Sequence, residues 1–202
     1  MINFLKKSKK YVWYRIHNFK KRNFDPDEEF NAVLNHLIKD NGSADVTILD
    51  VGAHRGESVK RFKKLFPNSV IHSFEPDREN FRFLQQNTQD IGNIHINNVG
   101  VGAQREKLTF FCNLKSSTSS FNPINENSKW AIERSTQRGI SPEEYTQDSY
   151  DVDVIDLDSY VADQKISKIN LLKIDTQGHE DAVFDGCTKT LEQGLIDIVE
   201  TE

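Results

Sequence analysis

Short apolar runs alternate with amphipathic segments along most of the chain, and this alternation is the feature that most limits its fold. Apolar runs bounded by turn residues predict strands, and apolar residues at helical spacing predict helices. The predicted strands are 46–51, 70–74, 94–99, 107–112, 152–157, 169–174 and 195–199, and the predicted helices are 25–40, 57–65, 77–87 and 180–191. Strands joined through helices in this way predict an α/β fold with a doubly wound, mostly parallel sheet.

The turn after the strand 46–51 indicates where a ligand would bind. It reads Asp50-Val51-Gly52-Ala53-His54-Arg55-Gly56, and the next strand ends at Glu75-Pro76. In an open parallel sheet, ligands bind beyond the carboxyl ends of the strands, and glycine lets a ligand lie against the backbone. A carboxylate at the second strand end can accept hydrogen bonds from both hydroxyls of a ribose. We therefore predict a nucleoside cofactor between the two strand ends.

The composition of the turn separates the two common cofactors that contain an adenosine ribose. A dinucleotide turn uses three glycines to cradle a pyrophosphate, whereas His54 and Glu57 stand at two of those positions here. Asp50 also disfavours an anion, since like charges at ~4–6 Å cost on the order of 1–4 kcal/mol. It suits the ammonium group of a methionine moiety. The predicted cofactor is S-adenosyl-L-methionine, and an NAD-dependent oxidoreductase is the alternative.

These stretches resemble the FkbM family of methyltransferases over residues 46–202. The resemblance is carried by Asp50 to Gly56, Phe74-Glu75-Pro76 with Asn80, Leu84 and Asn87, Asn98 to Gly102, and Lys173 to Glu180 with Gly186 and Leu191. It implies a Rossmann-like class I methyltransferase fold and methylation of hydroxyl oxygens, often on sugars or secondary metabolites. The chain departs from the family where His54 replaces the usual Asn and where Gln177 replaces a residue that is often acidic.

The candidate site residues follow from these strand ends. The expected cofactor contacts are Asp50, Gly52, Ala53, His54, Gly56, Glu75, Pro76, Asn98 and Val99. Asp175 ends the strand 169–174 and His179 follows it, so either side chain could accept the proton of a hydroxyl. Asp175 could instead hold the methionine end or cap the following helix. The spacing of Asp175, His179 and Glu180 does not force them to converge, so no metal site is predicted.

Charge is divided unevenly along the chain. Residues 1–24 hold eight of the 26 Lys and Arg and none of the 31 Asp and Glu, which leaves a net formal charge of −13 on the remainder. The acidic remainder disfavours nucleic acid as a partner. Leu5, Val12, Ile16 and Phe19 fall on one face of a helix in the basic segment, which is a pattern suited to peripheral contact with an anionic membrane. We expect residues 1–24 to form this segment and residues 25–202 to form the methyltransferase domain.

The sequence favours a cytoplasmic protein. It has only two cysteines, and it lacks an apolar stretch long enough for a signal peptide or a membrane span. Peripheral membrane contact through residues 1–24 is an additional expectation.

The polar segment 113–150 is long for a loop, and loops of this length are often functional, which suggests a lid or a substrate wall. The chain ends shortly after its last predicted strand, so we expect a domain truncated at its C-terminus. The expected acceptor is a glycan or another small molecule, and a non-catalytic cofactor-binding domain is a second alternative.

Overall fold

In a computed structural model of the chain, residues 46–201 are described together with the backbone of Trp13–Tyr14 and the helical residue Leu34. Six parallel strands form the main sheet in the order β1-β9-β8-β2-β3-β4. These strands are β1 (Trp13–Tyr14), β2 (Thr47–Val51), β3 (Val70–Phe74), β4 (Ile94–Asn97), β8 (Ile169–Ile174) and β9 (Ile196–Thr201). The predicted doubly wound, mostly parallel α/β fold is confirmed.

Helices pack on both faces of this sheet because successive strand residues point to opposite sides. Ile48 joins an apolar core that includes Phe62 and Leu84, while the adjacent Leu49 joins a second core that includes Leu157 and Val183. The helices are α1 (Glu57–Leu65), α2 (Arg78–Thr88), α3 (Lys129–Thr136), α4 (Leu157–Asp163), α5 (Glu180–Asp185) and α6 (Thr188–Glu192). None of the helices that the structure describes has the length and apolar character needed to reach across a lipid bilayer.

The order of the strands reverses beside β2. The chain proceeds from β2 to β3 and β4 on one side, and later returns to place β8 and β9 on the other side. A crevice therefore opens at the carboxyl ends of β2 and β8, which is where ligands bind in sheets of this kind.

A second, smaller sheet covers part of that edge. It contains β5 (Gly100–Val101), β6 (Glu106–Asn113) and β7 (Thr146–Ile155), with β7 antiparallel to β6 and parallel to β5. The sequence predicted β7 only from residue 152, because its first half is polar and lies largely exposed. Pairing with β6 stabilises that half, and Phe110 lies opposite Tyr150 in the register.

The segment between β6 and β7 is folded where the sequence suggested an irregular loop. It contains α3 and the short 3-10 helices Ser116–Thr118 and Pro142–Tyr145. The Ser128 side chain accepts a hydrogen bond from the Ala131 N–H and begins α3. Tyr145 is fully buried and holds the second 3-10 helix against the domain.

The predicted helix 180–191 is divided into α5 and α6. Gly186 approaches Gly102 so closely that a Cβ atom at position 186 would lie 2.0 Å from the Gly102 carbonyl oxygen. The Asp158 carboxylate accepts hydrogen bonds from the N–H groups of Lys189 and Thr190 at 3.0 and 2.7 Å, so α6 begins anew there. Both contacts come from residues distant in sequence, which periodicity does not reveal.

At the N-terminal side, Trp13–Tyr14 pair with Val199–Glu200 as a strand, whereas the sequence suggested a helix through this point. The free edge of β9 supplies the backbone groups that such a strand needs. Leu34 is helical and fully buried, in line with the predicted helix 25–40. The other residues of that helix and of the basic segment lie outside the described residues, so the domain boundary at 24/25 and the membrane contact stay predictions.

Replacing Gly52 with Ala should destabilise the fold strongly. Gly52 has a φ of +81°, and a Cβ atom there would lie 2.0 Å from the Asp175 carbonyl oxygen. Strain and overpacking together predict a loss of about 3 kcal/mol or more in the free energy of unfolding, measured by urea titration. Gly194→Ala is the matched control, because Gly194 has a φ of +70° but open space around it, and we expect a loss of about 1 kcal/mol. Equal losses in the two variants would contradict the close approach.

Candidate functional site

A cavity of about 490 Å³ lies at the carboxyl ends of β2, β3 and β8. Its walls include the turn Gly52 to His54, the end of β3 at Glu75 and Pro76, and the end of β8 at Asp175. The volume is in the range of protein sites that bind small molecules and cofactors. The cavity therefore occupies the crevice that the strand order predicts.

Glu75 presents a buried carboxyl group to this cavity. One oxygen, Oε2, accepts a hydrogen bond from the His54 N–H at 2.7 Å, and Oε1 accepts one from the Asp77 N–H at 2.9 Å. Burial raises the pKa of Glu75 to about 8, and Asp77 and Asp50 add to this, although the two backbone donors oppose it. The direction of the carboxyl group is therefore fixed before any ligand arrives.

Asp50 lies behind the cavity wall, in a buried ion pair. It is fully buried and stands opposite Lys173 in the register of β2 and β8. Asp50 Oδ1 lies 3.3 Å from Lys173 Nζ, and Oδ2 accepts a 2.5 Å hydrogen bond from the Ser58 hydroxyl. Burial disfavours the Lys173 ammonium, but Asp50, Asp175 and Glu200 outweigh this and raise the pKa of Lys173. Asp50 Oδ2 is thus hydrogen-bonded within the protein, while the buried Oδ1 faces the Lys173 ammonium as an ion pair without a hydrogen bond.

The loop after β8 carries Asp175 on the cavity wall. Asp175 Oδ1 accepts a hydrogen bond of 2.7 Å from Gln177 Nε2. The loop passes through the left-handed region, with φ of +56° at Gln177, which is uncommon for a residue other than glycine, and +99° at Gly178, which glycine adopts freely. The Glu180 carboxylate holds it by accepting hydrogen bonds from the N–H groups of Thr176 and Gly178 at about 3.0 Å. Burial alone would raise the pKa of Glu180, but these backbone and hydroxyl donors lower it.

The serine-rich segment 116–121 forms the wall opposite the sheet. The Ser120 hydroxyl donates to the Gln177 carbonyl oxygen at 2.9 Å, which joins this segment to the loop after β8. His54 Nε2 lies 2.9 Å from the Ser116 hydroxyl, and His54 Nδ1 lies 3.5 Å from the Glu57 carboxylate. The segment therefore forms part of the cavity wall, and its role as a substrate wall stays a prediction.

The sequence of this site matches a known family. The profile of the methyltransferase FkbM domain matches residues 50–202, which is about three quarters of the chain and includes the ends of β2, β3 and β8 at the cavity. The chain belongs to the FkbM methyltransferase family.

A curated relative in this comparison is the 2-O-methyltransferase NoeI of Sinorhizobium fredii (strain NBRC 101917 / NGR234). It is 24% identical over 152 residues, which cover 73% of this chain and 59% of the relative. The chain thus spans about three fifths of the length of this curated relative.

Solved structures overlap with the chain only in part. The precorrin-6y C5,15-methyltransferase from Geobacter metallireducens GS-15 has 18% identity and a TM-score of 0.28, over 40% of this chain and 43% of its own. A coclaurine N-methyltransferase bound to N-methylheliamine and SAH has 16% identity and a TM-score of 0.30, over 39% and 24% respectively. The fold of this FkbM domain is established by its own strand order.

The structure brings most of the expected cofactor residues to the cavity. Those that line it are Gly52, Ala53, His54, Glu75, Pro76 and Val99, together with the catalytic candidate Asp175. Two others support the wall from behind. Gly56 packs against Leu84 and Thr88, and the Asn98 side chain donates a 2.8 Å hydrogen bond to the Glu75 carbonyl oxygen.

His179, the other catalytic candidate, does not line the cavity. Its ring packs against Phe121 with a centroid distance of 4.9 Å, and burial lowers its pKa. Phe121 itself lines the cavity, and His179 lies behind it. The cavity wall therefore presents the ring of Phe121 and not the imidazole of His179. Within residues 46–201 and the few other described positions, no three His, Cys, Asp or Glu side chains converge as metal ligands would.

Sequence reasoning assigned no role to two basic residues of this FkbM site. Arg61 in α1 binds both oxygens of Glu200 at 2.7 and 2.8 Å, and both residues line the cavity. Burial raises the pKa of Glu200, although Arg61 opposes this. The second basic residue is Lys173. Its position could have drawn attention from the sequence, because it is the only charged residue of the buried strand β8.

Glu75→Gln should change how stability depends on pH. The pKa of Glu75 is about 8 in the folded protein and near 4.5 when exposed, so ionisation disfavours the folded state as pH rises from 4.5 to 8. We expect wild type to lose stability relative to the variant across this range, by at most about 1.4 kcal/mol per pH unit, and the difference to level off above pH 8. Urea titrations of both proteins at pH 5.5, 6.5, 7.5 and 8.5 measure it. A difference that is constant with pH would show that Glu75 titrates normally.

Proposed function

We propose that this FkbM domain binds S-adenosyl-L-methionine in the cavity and transfers its methyl group to a hydroxyl oxygen of a sugar or glycan. The observation that carries the proposal is the Glu75 carboxyl group, buried at the end of β3, oriented by two backbone N–H groups and facing the cavity. A carboxylate held in this way suits the two hydroxyls of a ribose.

The rest of the turn suits a sulfonium nucleoside better than a dinucleotide. Glu57 lines the cavity at a position where a dinucleotide turn would meet a phosphate. Burial alone would raise the pKa of Glu57, but its backbone hydrogen bonds and the neighbouring His54 lower it. Its negative charge therefore opposes a pyrophosphate at this helix N-terminus.

The residues of the domain have three tasks in such a reaction. S-adenosyl-L-methionine, when bound, supplies a methyl group already activated by the positive sulfonium. The backbone from Gly52 to His54 and the Glu75 carboxyl group orient the nucleoside, and the segment 116–121 limits the access of water. Asp175 and His54 each present a basic atom to the cavity, and either one can take the proton of the acceptor hydroxyl.

Two observations support a hydroxyl-bearing acceptor. Ser116, Ser117 and Ser119 give the wall opposite the sheet a row of hydroxyl groups, which can exchange hydrogen bonds with a polyol. The curated relative is named a 2-O-methyltransferase, which is consistent with transfer to oxygen.

Cofactor binding should strengthen as pH rises towards 8. In the free protein Glu75, with a pKa of about 8, holds its proton at neutral pH, whereas ribose hydroxyls donate best to the ionised carboxylate. We expect the Kd of S-adenosylhomocysteine to fall between pH 6 and 8, by up to about tenfold per pH unit, and then to level off. Isothermal titration calorimetry at pH 6, 7, 8 and 8.5 measures this.

Two controls accompany that titration. Glu75→Gln should bind S-adenosylhomocysteine more weakly and with little dependence on pH, because no carboxyl group titrates against the ribose. NADH should give no binding heat with either protein. Absence of S-adenosylhomocysteine binding at every pH would contradict the proposed cofactor.

Methyl transfer should occur to a carbohydrate hydroxyl. The purified chain is incubated with methyl-labelled S-adenosyl-L-methionine and a panel that contains mono- and oligosaccharides beside amines of similar size. We expect label in at least one carbohydrate, with the methylated position identified by linkage analysis, and much less label with Glu75→Gln. Label confined to the amines would contradict transfer to oxygen.

A further inference from the structure

We propose that Asp175, and not Asp50, receives the cationic amino group at the methionine end of the cofactor. This inference rests on the proposed function and makes it more specific. It reassigns the task that the sequence alone suggested for Asp50, the acid that precedes the glycine turn.

Asp50 is unavailable to a ligand because the protein already uses its charge. It is fully buried, and it is absent from the residues that line the cavity. Its Oδ2 accepts a 2.5 Å hydrogen bond from the Ser58 hydroxyl, and its Oδ1 is buried and lies 3.3 Å from Lys173 Nζ as an ion pair. Lys173 also donates to the Gly52 carbonyl oxygen at 3.1 Å, so the turn itself closes over the pair.

Ion pairs join three carboxylates and two cations at this end of the cavity among the described residues. Glu200 is bound by Arg61 through both oxygens, and Asp50 is bound by Lys173. Asp175 Oδ2 lies 3.6 Å from Lys173 Nζ, which is an ion pair but is longer than a hydrogen bond. After these pairings one negative charge remains in excess, and Asp175 is the carboxylate that carries it on the cavity wall.

The surroundings of Asp175 hold it ready for a cation. Its Oδ1 accepts the 2.7 Å hydrogen bond from Gln177, while about a third of its side chain remains exposed. Its own N–H donates to the Val51 carbonyl oxygen at 3.0 Å, which fixes it beside the turn. An ammonium group placed against Asp175 Oδ2 would neutralise the one negative charge that the ion pairs leave in excess.

This assignment leaves His54 as the group that accepts the proton of the acceptor hydroxyl. His54 lines the same cavity, and its imidazole is a general base of the kind that such a step uses.

The test compares S-adenosylhomocysteine with an analogue that lacks only its amino group, by calorimetry at pH 8. Wild type should bind the analogue about tenfold or more weakly, as expected for the loss of a hydrogen bond to a charged group. Asp175→Asn should weaken S-adenosylhomocysteine by a similar factor and change the Kd of the analogue by less than about twofold. Retained binding of the analogue shows at the same time that the variant is folded.

Two further variants serve as comparisons. Asp163→Asn, on an exposed surface pair with Arg105, should bind both ligands as wild type does. Asp50→Asn should lower thermal stability and should not discriminate between the two ligands.

The possible results separate the inference from the function on which it rests. Equal affinity of wild type for the two ligands, an equal loss of both in Asp175→Asn, or selective loss of S-adenosylhomocysteine in Asp50→Asn would overturn the role of Asp175 while the cofactor assignment stands. Failure of wild type to bind either ligand would overturn the proposed function itself.

Discussion

The buried ion pair between Asp50 and Lys173 is the interaction on which the site depends. It joins β2 to β8 at the place where the strand order reverses, and both side chains lie almost wholly inside the protein. Removing two charges from water costs several kcal/mol per ion, and only good geometry and additional hydrogen bonds offset that cost. Here the Ser58 hydroxyl and the Gly52 carbonyl oxygen provide those bonds. The pair therefore fixes the distance between the glycine turn and the loop that carries Asp175.

Glu75 shows a second way of keeping a carboxyl group inside the same site. Among the residues that the structure describes, no cation neutralises it as Lys173 neutralises Asp50, and its pKa rises to about 8 instead. A group that is neutral near pH 7 costs less to bury, and under the proposed function it would become charged when ribose hydroxyls donate to it. The two carboxyl groups at neighbouring strand ends thus differ in setting, since Asp50 is paired inside the framework and Glu75 faces the cavity.

Local patterns in the sequence predicted the parts of the structure that local forces decide. The strand 169–174 is buried throughout and mostly apolar, and it was predicted with the bounds of β8; the glycine turn and Glu75 were predicted at the cavity. Contacts between distant residues decided the rest. The polar first half of β7 depends on pairing with β6, and the break at Gly186 depends on Gly102. The role of Lys173 could not be predicted, because it follows from a register that pairs residues 50 and 173.

The two positions at which the sequence departs from the family resemblance, His54 and Gln177, both lie on the cavity wall. Gln177 stands where the family often has an acid, and its amide donates a hydrogen bond to Asp175. A carboxylate in its place would set a second negative charge beside Asp175 and would offer no donor at neutral pH. His54 stands where the family usually has Asn, and its ring lies between Ser116 and Glu57. An amide side chain cannot take up a proton near neutral pH, whereas an imidazole can. His54 therefore gives the glycine turn a proton acceptor that Asn at this position would not provide.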